Sequence, residues 1–119
     1  MSVVINARLH PFRLVLSRRQ PVQLDVEVIN RAPEAKMLTM KLILPRTLAV
    51  DKGGLTSEVR KPLDMVNPDE TKRFYFDIYG KPMTRTGEEE IMIKVLEHYQ
   101  SAQYVVKEYT KKIGLIVED

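Results

Sequence analysis

The chain has no cysteine, no tryptophan and only two histidines among its 119 residues. Without cysteine there is no disulfide framework, no thiolate metal site and no cysteine nucleophile. With two histidines a multi-histidine metal centre is excluded. No stretch reaches the roughly 18 apolar residues that would read as a membrane-spanning helix. Met1 to Arg8 lacks a basic segment ahead of an apolar run, so it does not read as a secretory signal. With Met1 as the native start the expected compartment is the cytoplasm; a trimmed ectodomain carrying an added Met reads the same way. Glycine is scarce too, at five residues, and with seven prolines it falls almost entirely between patterned segments.

Apolar residues make up 44% and charged residues 29%, a balance suited to a packed core rather than to disorder. The length fits one domain over 1–119. The net charge of +3 is unevenly spread. Residues 1–46 carry eight basic against three acidic residues, and the remainder carries eleven against thirteen. Arg8, Arg13, Arg18 and Arg19 are the candidate patch for an anionic partner such as nucleic acid.

Strict alternation dominates, as in half-buried strands. Val22, Leu24, Val26 and Val28 share one face; Gln23, Asp25 and Glu27 share the other. Leu38, Met40, Leu42 and Leu44 repeat the pattern, as do Phe74, Phe76 and Ile78, then Ile91, Ile93 and Val95. Near the N-terminus Val3, Ile5, Ala7 and Leu9 alternate until Pro11 interrupts, and Phe12, Leu14 and Leu16 resume. Proline cannot donate to a ladder, so this first strand is expected to start in one sheet and finish in another. Residues 51–68 show no alternation and read as irregular.

Residues 88–113 carry two patterns. Ile91, Val95, Tyr99, Ala102, Val106, Tyr109 and Ile113 form a stripe at helical spacing. The β-branched and aromatic load instead favours strands over about 89–99 and 103–117, turning near Gln100-Ser101-Ala102. The preferred reading is the hairpin. The fold class is therefore all-β: an immunoglobulin-like sandwich of two antiparallel sheets with seven to nine strands. The alternative is an α+β fold with a C-terminal helix over 88–113.

Four segments resemble a known family. Pro21–Asn30 resembles the second strand of small immunoglobulin-like repeats, and residues 38–48, ending Leu42-Ile43-Leu44-Pro45-Arg46-Thr47-Leu48, their following strand and turn. Val66–Phe74 resembles a Pro-Gly turn entering an aromatic strand, with Asp69 where the repeats carry Gly. Thr86–Ile91 resembles the entry to the next strand. The order is similar to CARDB-like repeats and related fibronectin-III-like domains of archaea and bacteria, over roughly residues 18–97. The resemblance implies a β-sandwich and brings no catalytic residues.

Little here suggests chemistry. His98 stands beside Glu97, but neighbours on a strand point to opposite faces, so the pair reads as a surface or strand-end histidine. Asp25 and Glu27 share a strand face and read as a solvated, charged exterior. Ser2, Ser17, Ser57 and Ser101 sit in terminal or turn contexts without a nucleophile elbow. No catalytic residue, cofactor or metal ligand is expected. Tyr75 and Tyr79, opposite Phe74 and Phe76, should face outward, as should Ile43 and Met37; gathered together they would mark an interface. The expected function is a non-catalytic protein-interaction or structural module, with self-association as a homodimer the simplest form. The alternative is a basic accessory domain for nucleic acid.

Overall fold

The computed structural model describes residues 2–99 and 101–119. Among the described residues nine strands run in chain order: β1 (Val3–His10), β2 (Arg13–Val15), β3 (Val22–Asn30), β4 (Lys36–Ile43), β5 (Leu48–Ala49), β6 (Glu58–Val66), β7 (Thr71–Gly80), β8 (Gly87–Tyr99) and β9 (Ser101–Glu118). A single 3-10 turn, Leu16–Arg18, follows β2. One sheet has the order β1-β3-β7-β5, the other β2-β9-β8-β4-β6. This is an all-β, immunoglobulin-like two-sheet sandwich.

Alternation builds it directly. Val22, Leu24, Val26 and Val28 of β3 are buried and face Leu38, Met40 and Leu42 of β4 and Ile91, Ile93 and Val95 of β8 across one core. Each fully buried aliphatic side chain of this kind contributes about 1.5–3 kcal/mol. Phe74 and Phe76 pack at the margin of this core, and Ile78 lies inside it.

The first strand divides as its proline requires. β1 pairs antiparallel with β3, whereas β2 pairs with β9 through Arg13–Ile116, Leu14–Val117 and Val15–Glu118. That second pairing is parallel. It corrects the expectation of two purely antiparallel sheets: a strand that crosses between sheets without reversing must lie beside β9 in the same direction.

Residues 88–113 are a hairpin, not a helix. β8 bonds to β4 on one side and β9 on the other, so a helix there would strand the edge of β4. The helical spacing has a simple origin. Ile91 lies opposite Ile113 and Val95 opposite Tyr109 in the β8–β9 register. Ile91, Val95, Tyr109 and Ile113 of the stripe share one inner sheet face read along a folded-back chain, whereas Tyr99 and Val106 are exposed. Of the expected turn at Gln100-Ser101-Ala102, Gln100 lies outside the described residues.

Residues 51–68 are more ordered than expected, because β6 occupies 58–66. Its register with β4 shifts between Leu38 and Thr39, and Asp64 takes a φ of 57°. The irregularity puts Leu63 and Val66, three apart, both into the core. Pro62 removes one donor from this edge.

Two turns are held by side chains. Asn30 is fully buried: its Nδ2 donates to the carbonyls of Val66 (2.8 Å) and Glu34 (2.9 Å), and its Oδ1 accepts from the Ala32 amide (2.9 Å). Asp69 adopts a φ of 61°, the left-handed region that glycine favours and Asp tolerates in turns.

Candidate interaction surface

The four outward apolar residues singled out from sequence do not form one patch. Tyr75 and Tyr79 belong to β7 and Met37 and Ile43 to β4, which lie in different sheets. Tyr75 is well exposed, while Tyr79, Met37 and Ile43 are half-buried. Alternation assigned their faces, but only sheet order shows that the faces are remote.

Exposed apolar side chains concentrate elsewhere. Tyr99, Tyr104, Val105 and Val106 are 61%, 61%, 50% and 58% exposed, all at the β8–β9 turn. The register explains the cluster. Tyr99 pairs with Ser101 and His98 with Val105, so the chain bulges between them and turns both faces to solvent. Tyr109, five residues beyond Tyr104, is buried; its hydroxyl donates to Glu97 (3.2 Å), and the Lys107 ammonium lies 5.1 Å from its ring. Sequence reasoning counted these tyrosines but had no register with which to separate Tyr99 and Tyr104 from Tyr109.

Below the turn the edge of β9 is guarded. Among the described residues β9 has a partner on its second side only at Ile116–Glu118. Lys107, Lys111 and Lys112 stand along the unpaired stretch, and lysines on an edge discourage strand addition. The apolar turn carries no such guard.

The basic candidates also separate. Arg8 lies on β1 opposite Asp25 of β3. Arg13 is ion-paired with Glu118. Arg18 and Arg19 occupy the 3-10 turn, both exposed, with Arg19 at a φ of 53°.

The carboxylates of the β3 exterior are compensated. Glu27 pairs with Arg73 at 3.1 Å, and Asp25 accepts from Gln23 (2.8 Å) with His10 at 3.4 Å. Among the described residues no group of three or more His, Asp or Glu side chains could hold a metal ion. Glu97 receives Lys36 (3.4 Å). The Glu34 carboxylate and then Glu97 hold the Lys36 ammonium above its ordinary pKa.

His98 is not a surface residue: it is buried, and its Nε2 meets Thr39 Oγ1 at 2.7 Å. Thr39 and His98 are diagonal neighbours across β4 and β8. Burial on this outer face follows from its central position in a five-stranded sheet, which alternation alone does not reveal.

No protein-family model and no curated protein sequence matches the chain. Solved structures do. The alkylpurine DNA glycosylase AlkC of Pseudomonas fluorescens, bound to DNA containing an abasic-site analog, matches 99% of this chain at 12% identity and a TM-score of 0.53. The chain spans only 31% of that structure. A FixG-related protein from Vibrio parahaemolyticus matches 98% of the chain over 97% of its own length, at 10% identity and a TM-score of 0.53. AvmM, which catalyzes macrocyclization in alchivemycin A biosynthesis, matches 99% over 89% of its length, at 6% identity and a TM-score of 0.62. At such identities the likeness concerns the fold. Among the described residues no helix is long and apolar enough to cross a membrane.

Proposed function

We propose that the protein is a non-catalytic protein-interaction module whose contact surface is the apolar β8–β9 turn. The observation that carries this reading is the clustering of Tyr99, Tyr104, Val105 and Val106, four large apolar side chains at least half exposed, in one turn. Tyrosine supplies large contact area at low entropic cost, and exposed apolar clusters on soluble domains mark contacts. The reading as a CARDB-like or fibronectin-III-like repeat is kept with it, supported by the two-sheet architecture and the positive φ of Asp69 at the Pro-Asp turn. The ion pairing of Arg13 with Glu118 favours a protein partner over a nucleic acid.

The partner we propose is a second copy of the chain, meeting turn to turn about a twofold axis. Four residues cover less than the roughly 800 Å² per partner of a standard interface, so the dimer is weak and concentration-dependent. Light scattering across a concentration series should show the mass rising from one chain towards two. A Tyr104→Asp/Val106→Asp variant should stay at one chain with unchanged melting. A wild-type mass that stays at one chain at every concentration overturns the dimer.

A further inference from the structure

A cleft of about 500 Å³ opens between the 3-10 turn after β2 and the end of β7, well apart in sequence from the β8–β9 turn. Its size falls within the range of small-molecule sites. Leu16 lies at its base over the buried Leu14, and Arg19, Lys52 and Lys81 line it together with Tyr79. No carboxylate lines it.

The three cations carry no ion pair among the described residues. Of the other sixteen basic residues, eight are ion-paired, Arg13 and Lys36 among them, and eight are not. Lys81 Nζ instead donates to an uncharged partner, Ser57 Oγ, at 3.2 Å. The carboxylate of Asp51, the acid beside Lys52 in sequence, accepts from the amides of Leu55 (3.0 Å) and Thr56 (2.7 Å), and its charge also attracts Lys81 without forming an ion pair. Both bracketing cations are held by backbone bonds. The Arg19 amide bonds Leu16 O (3.1 Å), and the Lys81 amide bonds Thr84 Oγ1 (2.6 Å).

Gly80 packs closely on these leucines: a Cβ there would come within 3.0 Å of Leu16 Cδ2 and 3.5 Å of Leu14 Cδ2.

We propose that this cleft binds a small phosphomonoester: a phosphate among Arg19, Lys52 and Lys81, with an apolar or ring-bearing body against Leu16 and Tyr79. A guanidinium fork with two ammonium groups suits a dianionic phosphate. A nucleic-acid strand is less suited, because a backbone track needs a continuous row of cations, and Arg13 is engaged with Glu118.

Titration calorimetry tests this with phenyl phosphate, inorganic phosphate and a single-stranded oligonucleotide as probes. Phenyl phosphate should bind with one site per chain and more tightly than inorganic phosphate. Arg19→Gln and Lys81→Gln, both at the surface, should each weaken it about tenfold or more, the loss expected for one charged hydrogen bond. Lys111→Gln, on β9, should leave it unchanged. Absence of saturable phenyl phosphate binding at millimolar concentration overturns the proposal. So does equal weakening by Lys111→Gln, or an oligonucleotide that binds more tightly than phenyl phosphate with steep salt dependence.

Discussion

Asn30 Nδ2 donates to the carbonyl of Val66 at 2.8 Å in a fully buried setting, joining residues 36 positions apart. The same side chain also closes the turn after β3, through Glu34 O and the Ala32 amide. The Asn30 backbone continues the link, its amide bonding Glu70 O (3.2 Å) and its carbonyl accepting from Asp69 N (2.6 Å). One residue thus ties two turns and the end of β6 together. Asn30→Ala would take a partner from two buried backbone groups, Val66 O and the Ala32 amide, and from the part-buried Glu34 O, and a buried group left unpaired costs about 1–3 kcal/mol. We expect a loss of about 3–5 kcal/mol by urea denaturation, limited by local relaxation. Asn30→Asp should lose nearly as much, because a carboxylate cannot donate to Val66 or Glu34. A loss below about 1 kcal/mol for Asn30→Ala would show that relaxation re-pairs these groups.

The Thr39–His98 bond makes a separate test. His98 Nδ1 finds no hydrogen-bond partner among the described residues, so Nε2 with Thr39 is its one side-chain link. Thr39→Val should cost about 1–3 kcal/mol, since it leaves the buried ring unpaired. Thr39→Val/His98→Leu should recover much of that loss, because removing both partners spares the desolvation penalty. Urea unfolding of both variants and of His98→Leu closes the cycle, and additive losses would refute the coupling.

Acid should act through Asp51 and Glu70. The amides of Leu55 and Thr56 hold the Asp51 carboxyl below its ordinary pKa, and the Asn67 amide, aided by Lys72, does the same for Glu70. A carboxyl with a lowered native pKa contributes its full stabilisation above the unfolded value, about 3.9 for Asp and 4.3 for Glu. That contribution disappears as the pH falls through the lowered native value. Melting temperature should therefore drop below about pH 4, and Asp51→Asn should drop less steeply over the same window. Equal acid slopes for wild type and Asp51→Asn would remove Asp51 from this account.

Leu24 and Leu55 bracket the range of leucine environments. Leu24 is 0% exposed between the sheets and Leu55 is 87% exposed in the loop after β5. Leu24→Ala should cost about 2–5 kcal/mol, and Leu55→Ala should stay within about 0.5 kcal/mol of wild type. Thermal or urea unfolding of the pair measures the contrast directly.

The strands with regular alternation were legible because one buried face writes itself into every second residue. Val22 to Val28 and Ile91 to Val95 are of this kind, and Pro11 marked the passage of the first strand between sheets. β6 was not legible: its irregular register puts Leu63 and Val66 at a spacing no regular strand has. The candidate surfaces were legible only residue by residue. Tyr75 and Met37 both look outward in sequence, but which sheet each belongs to depends on pairing partners far along the chain. Arg19 was visible, whereas Lys52 and Lys81 join it only when the β2 turn and the end of β7 fold side by side. Parity likewise put Thr39 and His98 on an outer face without showing that the width of the sheet buries it.

The pairing of β2 with β9 sets a condition on how the molecule can be made. Arg13 and Glu118, 105 residues apart, meet in the same ladder, and Leu14 enters the core beside Val117. During synthesis at roughly 5–20 residues per second, β1 and β3 can meet early. The second half of the first strand has nothing to pair with until β9 has left the ribosome. The five-stranded sheet closes last, and a nascent chain lacking β9 exposes the edge of β8 meanwhile. Such distant pairings raise contact order and slow folding, so this protein is most vulnerable to misassembly just before translation of β9 is complete.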